Sequence, residues 1–334
     1  MASKKGKIRV GFIGCGGIMR GHFDRLSKNP HAQIVALSDN SDASMARFTE
    51  RCPTAKGLPV YADYRELLAK EKLDAVEIAT PHTLHFEQAM AAFDKGLHVL
   101  LEKPMVCSVA HAKKLLKKAE ETGKVLQVSY QRHFGGAYRY VRQAIAKGEI
   151  GRVHFVTAQQ SQEWYANQQG AWRQKACLSG GGQLNDSGSH LLDIVLWMTD
   201  LVPAEVFAFI DNFDTEVDIL TAMSAKFKGG ALATFSIVGH STFWWEDVSI
   251  WGDKGAFFIR NGGEFVMKDE NGKTLDVRDK AEKMNAGDPD TNFINAILGK
   301  DEVQVPGVCG LRVIQLTEAA WQSGKTGLPA KVKR

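Results

Sequence analysis

A chain of 334 residues with 44% hydrophobic and 24% charged side chains has the make-up of a globular protein long enough for two domains, each with an ordinary core. Its formal net charge of +4 is small and scattered, and Lys113, Lys114, Lys117 and Lys118 fall on the solvated face of one helix, which argues against a nucleic-acid partner. No run of about 18 apolar residues is present and the basic start from Met1 to Lys7 leads straight into a strand, so neither a membrane span nor a signal peptide is expected.

The five cysteines (Cys15, Cys52, Cys107, Cys177, Cys309) are far apart and form no C-x-x-C pair. That pattern suits reduced thiols and predicts a cytoplasmic protein.

In chain order, Ile8 to Ile13 reads as a strand buried on both faces, because its apolar residues do not alternate with polar ones. It runs into Gly14-Cys15-Gly16-Gly17-Ile18-Met19 and then a helix to about Leu26. This is a G-x-G-x-x-G/A pattern with Met19 in the third place. The first glycine allows the tight turn, the second lets a pyrophosphate approach backbone, and the helix start offers N–H groups to the anion. A second apolar strand, Ile34 to Leu37, ends at Ser38-Asp39, twenty residues past Met19. A carboxylate there accepts from adenosine ribose hydroxyls and repels a 2′-phosphate, which predicts NAD in preference to NADP. The plainer alternative is that Asp39 caps the helix starting near Ser41.

Helices then alternate with strands: Ser41 to Arg51, Tyr64 to Lys70, a strand at Asp74 to Ala79, a helix from Thr83 to Lys95, a strand at His98 to Leu101, a helix from Ser108 to Thr122 and a strand at Val125 to Ser129. Such alternation implies a doubly wound parallel sheet, with ligand at the carboxyl ends of the strands. Thr80-Pro81-His82 and Glu102-Lys103-Pro104 follow two of those ends. His82 and His85 read either as contacts to the nicotinamide end or as ordinary helix-start residues. Pro104 fixes the turn after Lys103, which aims that ammonium into the crevice.

From about Tyr130 the grammar changes. A helix at Tyr138 to Lys147 and a strand at Val153 to Ser161 precede a loop region from Trp164 to Leu184. Long alternating segments follow at Glu205 to Asn212, Asp218 to Phe227, Ala231 to Val238, Glu246 to Trp251 and Gly255 to Arg260, joined by Gly-containing turns. They predict a large, open, mostly antiparallel meander, covered in part by helices at Asp288 to Leu298 and Gly310 to Ser323. A second subunit would cover the rest, predicting a homodimer or homotetramer. The domains are therefore expected at 1–128 for the nucleotide and 129–334 for substrate and self-association.

Before those strands, Asp186-Ser187-Gly188-Ser189-His190-Leu191-Leu192-Asp193 opens a helix. Its spacing puts His190 on one face with Asp193 and one turn from Asp186, the expected N-cap. Three readings arise: a capped helix, a metal site of Asp186, His190 and Asp193, or a catalytic group. Without a second histidine close by, no metal is expected.

Several of these motifs together give the chain its resemblance: Gly14 to Met19, Thr80-Pro81 with His85, Glu102-Lys103-Pro104, Trp172-Arg173, Gly181-Gly182 and the D-x-G-x-H-x-x-D run of Asp186 to Asp193. Over nearly its whole length the chain resembles the glucose–fructose oxidoreductase, inositol dehydrogenase and rhizopine-catabolism (Gfo/Idh/MocA) group. The resemblance implies a Rossmann domain followed by an α+β domain, and makes Lys103, Asp186 and His190 the matches of the family's catalytic lysine, aspartate and histidine. The cofactor contacts it implies are Gly14, Gly16, Gly17, Ile18, Met19, Asp39, Thr80, Pro81, His82, His85, Glu102 and Lys103. Two departures stand out: Met19 where glycine or alanine is usual, and His82 where asparagine is frequent.

Hydride transfer from a secondary alcohol needs a base, a positive charge for the alkoxide-like oxygen, and correct placement. His190 suits the base, Lys103 the charge, and Asp186 holds a substrate hydroxyl or orients His190, while Asp193 reads as structural. Candidate substrate contacts are Lys103, Arg132, Trp164, Trp172, Arg173, Asp186 and His190. Trp164, Tyr165, Trp172, Phe243, Trp244 and Trp245 either stack on sugar C–H faces or pack in the core. A sugar, sugar derivative or cyclitol is the expected substrate. The competing readings are an NAD-assisted glycoside hydrolase and a non-catalytic sugar sensor; the second would be expected to lose Lys103 or His190, and both are present.

Overall fold

The computed structural model describes residues 6–333; the basic start from Met1 to Lys5 lies outside them. The chain divides into two compact units. The first comprises the described residues up to Val106 with Ala110–Ser129 and Gly287–Val308, and the second comprises Cys107–Val109, Tyr130–Ala286 and the residues from Cys309 on.

The first unit holds β1 (Ile8–Ile13), α1 (Met19–Ser27), β2 (Ala32–Ser38), α2 (Asp42–Arg51), β3 (Val60–Tyr61), α3 (Tyr64–Lys70) and β4 (Ala75–Ile78). It continues with α4 (His85–Asp94), β5 (His98–Leu101), α5 (Val109–Thr122) and β6 (Leu126–Val128). Its six strands are all parallel, in the order β3-β2-β1-β4-β5-β6. Order reverses between β1 and β4, so the loops after these two strands flank the crevice where nucleotides bind on such sheets. Val10, Phe12 and Leu100 are almost fully buried, as unbroken apolar strands require when helices cover both sheet faces.

In the second unit come α6 (Gly136–Ala146), β7 (Val153–Ser161), two short helices α7 (Trp164–Asn167) and α8 (Ala176–Ser179), and α9 (Gly188–Thr199). Next are β8 (Pro203–Asp211), β9 (Leu220–Phe227), β10 (Leu232–Val238), β11 (Trp245–Gly252), β12 (Gly255–Arg260), β13 (Glu264–Asp269), β14 (Thr274–Leu275) and α10 (Arg278–Glu282). The chain ends with α11 (Pro289–Ile297), α12 (Gly307–Thr326) and β15 (Ala330–Lys331). The nine strands run β14-β13-β12-β11-β7-β10-β9-β8-β15. In β9 alternate residues are buried and exposed, the mark of a sheet packed on one face.

Three expectations are corrected. The sheet is not a plain meander, because β7 lies between β10 and β11 and pairs parallel with β10; a pairing so distant in sequence leaves no local signal. α11 does not cover this sheet but packs in the first unit against α1 and β5, with Phe293 and Ile294 in that unit's core. The second domain is therefore not one continuous stretch from 129 to 334, since Gly287–Val308 rejoins the first unit. The helices that do cover the large sheet are α9, against β7, and α12, whose Ser323 Oγ accepts from the Ala208 N–H of β8 at 3.0 Å.

Candidate active site

In the first unit, β1 stops where Gly14 takes φ +88° and donates its N–H to Ser38 at 2.8 Å. A Cβ at Gly14 would stand 2.7 Å from the backbone carbonyl of Ala79, so the loops after β1 and β4 touch and only glycine fits. Around Gly16, by contrast, a Cβ would meet nothing within 4 Å. The start of α1 at Ile18 has no side-chain cap and no acidic residue in its first turn. Open space over uncapped N–H groups suits the pyrophosphate of a dinucleotide.

Met19 departs from its expected role. It is fully buried in the core with Phe12 and Phe23, because the first residue of α1 faces the sheet, whereas Ile18 beside it is 46% exposed. Asp39 is tied to the glycine-rich loop: its carboxylate accepts from Cys15 N–H and from Ser41 N–H, each at 2.8 Å. The capping alternative falls to Ser41 instead, whose hydroxyl accepts from Ser44 N–H at 3.2 Å. The Cys15 thiol is buried, which pushes its pKa up and makes it a poor nucleophile.

His85 is corrected as a cofactor contact. It is fully buried, with one ring nitrogen 2.9 Å from the Pro104 carbonyl and the other 3.0 Å from the Thr80 carbonyl. It braces the loop after β4 against the loop after β5, and burial lowers its pKa. His82 is also buried, its ring 5.8 Å from that of His85. Thr80 Oγ1 donates to Gln88 at 2.6 Å, and Thr80 and Pro81 are half-buried.

Glu102 is buried, and one oxygen meets His22 Nε2 at 3.1 Å while the other accepts from Lys103 N–H at 3.2 Å. Burial alone would raise its pKa, but the hydrogen bond and charge of His22, then Lys103 and Ser129, hold it at about 2. His22 in turn lies 2.7 Å from Asp290. Burial opposes its charge, yet Asp290, Glu102 and Glu77 lift its pKa well above the usual imidazole range. Neither His22 nor Asp290 was visible as a site residue, because they stand 268 positions apart.

In the second unit, Asp186 is not the N-cap of α9. Ser187 holds that place without a side-chain cap. Asp186 is buried and its Oδ2 accepts from Trp164 Nε1 and from Arg173 Nε, each at 2.9 Å. Trp164 is 2% exposed and packs with Val217 and Ile219, so its ring cannot stack on a sugar; it orients Asp186. Arg173 spans Asp186 and the half-buried ring of Trp172, 4.4 Å from the centroid. Arg132 pairs with Glu246 at 2.7 Å, and Glu246 also accepts from Gln160 at 3.1 Å.

His190 is half-buried and meets the edge of the Tyr130 ring at 5.8 Å. Asp193 does not join it. Its carboxylate takes the buried His133 ring at 2.7 Å, so the three groups that share a metal-like spacing in sequence have separate partners. The loop before α9 is held by Asp218, a residue the sequence did not point to. Its carboxylate accepts from Gly182 N–H, Leu184 N–H and Trp321 Nε1 at 2.9, 2.7 and 2.9 Å. Burial raises its pKa against those three bonds. A Cβ at Gly182 would lie 1.9 Å from the Asp218 carbonyl oxygen, which is why glycine stands there. Phe243, Trp244 and Trp245 are exposed.

Among known proteins, residues 8–130 match the family model of an oxidoreductase family with an NAD-binding Rossmann fold, and residues 138–258 match the GFO/IDH/MocA C-terminal domain. The D-glucoside 3-dehydrogenase of Escherichia coli is 24% identical, over 96% of each chain. A D-xylose 1-dehydrogenase (NADP(+)) of Hypocrea jecorina is 29% identical over 69% of this chain and 61% of its own. In structure, the WlbA dehydrogenase of Bordetella pertussis, solved in complex with NADH and UDP-GlcNAcA, superposes with a TM-score of 0.84 over the full length of both chains at 23% identity.

Proposed function

The chain belongs to the Gfo/Idh/MocA family of oxidoreductases, and from that premise we propose that it transfers a hydride between NAD and a secondary hydroxyl of a sugar, sugar derivative or cyclitol. The observation that carries this reading is the open, uncapped start of α1 over Gly16, with Asp39 clamped to the same loop. Gly14, Gly16, Gly17 and Ile18 would hold the pyrophosphate, Asp39 the adenosine ribose, and Thr80, Pro81, Glu102 and Lys103 the nicotinamide side. NAD is favoured over NADP because a carboxylate at Asp39 repels a 2′-phosphate; relatives of both kinds exist.

Bound nicotinamide supplies the hydride acceptor. His190 takes the proton of the substrate hydroxyl, and Lys103 stabilises the oxygen as negative charge develops on it. Asp186, fixed by Trp164 and Arg173, holds a neighbouring hydroxyl in register. Arg173, Trp172 and Arg132 complete the substrate contacts. The exposed face of the nine-stranded sheet carries Phe209 and Trp251, 69% and 42% exposed, and supports self-association as a dimer or tetramer. No described helix is long and apolar enough to cross a membrane, and the five free cysteines suit a reducing, cytoplasmic setting.

The test is absorbance of reduced nicotinamide while aldoses, cyclitols and glycosides are supplied with NAD or NADP. A rise with NAD and at least one sugar or cyclitol is expected; no rise with any of them contradicts the dehydrogenase reading. NADP working as well as NAD contradicts the role given to Asp39.

A further inference from the structure

We infer that Asp290 and His22 are positioning residues for the cofactor: a buried relay, Asp290 to His22 to Glu102, that fixes the loop carrying Lys103. The inference rests on the reading above that Glu102 and Lys103 serve the nicotinamide side.

The links are direct. Asp290 Oδ1 lies 2.7 Å from His22 Nδ1, His22 Nε2 lies 3.1 Å from Glu102 Oε1, and Glu102 Oε2 accepts from Lys103 N–H at 3.2 Å. His22, Asp290 and Glu102 are 2%, 0% and 6% exposed. A neutral imidazole has one N–H, so a ring lying between two carboxylates donates to both only as the imidazolium. Arg25 Nε binds the second oxygen of Asp290 and holds it in place. The relay thus runs from α11, in the returning segment Gly287–Val308, through α1 to the end of β5.

The groups facing His22 also include Glu77 on β4, whose carboxyl is 3.5 Å from Nδ1 and has no hydrogen-bond partner at ordinary geometry. The buried carboxyls of Glu77, Glu102 and Asp290 outnumber the cations His22 and Arg25, and Asp288 adds a half-buried carboxylate 3.7 Å from Arg25 Nε; burial, then the Asp290 carboxylate, push the Glu77 carboxyl up toward keeping its proton. His22, Glu77 and Asp290 offer ligand atoms within 4.8 Å of one another, but the Arg25 guanidinium on Asp290 opposes a metal ion there. Nor does stability call for such a cluster, since buried ionic networks can commonly be replaced by apolar packing without loss. Its far end at Lys103 gives it a use.

The experiment titrates NADH against the full-length protein by fluorescence, with melting temperature in parallel, for wild type, His22→Gln and Asp290→Asn. In wild type, affinity is expected to change little between about pH 8 and about pH 5, because Glu102 stays ionised throughout. Both variants should bind NADH about tenfold more weakly at neutral pH, the scale of a lost charged hydrogen bond. They should also gain an acid limb, with affinity falling further as Glu102 takes up a proton. Asp290→Asn keeps an amide oxygen for the ring and serves as the readout if His22→Gln does not fold. A lowered melting temperature with NADH affinity and its pH profile unchanged would overturn the relay. Wild-type protein that fails to bind NADH would instead overturn the cofactor reading beneath it, and the two failures are distinguishable because the second does not depend on the variants.

Discussion

The two units handle buried charge in opposite ways. In the first, His22, Arg25, Glu77, Glu102 and Asp290 share one cluster. In the second, Asp218 is held by N–H donors and other buried acids stand in separate pairs: Arg132 with Glu246 at 2.7 Å, His133 with Asp193 at 2.7 Å and Arg173 with Asp186 at 2.9 Å. A cluster with an odd acid must share a proton, so removing one member changes the charge state of the others. A balanced pair fails alone. The first arrangement suits a site that takes the same cofactor in every turnover, and the second suits one that can be altered residue by residue for different substrates.

The largest expected effect lies at the end of the cluster. Lys103→Met should lower kcat by about a hundredfold, the usual scale for a lost charge or acid–base group, with a smaller loss of NADH affinity from its contact on the nicotinamide side. If NADH affinity falls while kcat at saturation does not, Lys103 serves binding and not turnover. Within the pairs, Asp193→Asn should cost about 3 kcal/mol in denaturant unfolding, since it leaves buried His133 with a weakened partner. A cost below about 1 kcal/mol would show that the pairs are not independent supports.

Acidity separates the regions further. Glu102 is held at about 2 in the fold, below its unfolded value, so its contribution is present above the ordinary glutamate range and is lost as pH falls from there toward 2. The shift corresponds to about 3 kcal/mol. His22 and Glu77 are raised, so the stability they add is full below their unfolded values and declines as pH rises through the folded ones. Unfolding free energy should therefore fall on both sides of a maximum. Glu77→Gln, which mimics the protonated acid, should flatten part of the alkaline side and raise stability at neutral pH, by about 1.4 kcal/mol for each pH unit above the ordinary glutamate range over which Glu77 keeps its proton. A loss of stability at neutral pH would mean that Glu77 is ionised in the cluster.

The same contrast governs how much the sequence reveals. The parallel strands of the first unit are short, apolar and unbroken, and β1, β5 and the glycine-rich turn are readable from local pattern alone. β7, β9 and β12 are equally plain. The place of β7 between β10 and β11 is not, because strand order depends on pairings that no local pattern records. β13 and β14 escape notice in a stretch broken by Gly262, Gly263 and Gly272. In the site, Asp186 and His190 stand out by spacing, and Trp164 and Arg173 by residue type, yet the burial that makes Trp164 a support for Asp186 shows only in the fold. Asp218 and Asp290 look like any surface carboxylate until their partners are seen.

The central claim is that proton transfer belongs to His190 in the second unit while the first unit holds the cofactor. The most direct test is the single-turnover rate of hydride transfer in His190→Asn, started with saturating NAD and the best substrate from the sugar and cyclitol panel. A rate about a hundredfold below wild type, with NADH affinity unchanged, is the predicted result. A rate equal to wild type would contradict it.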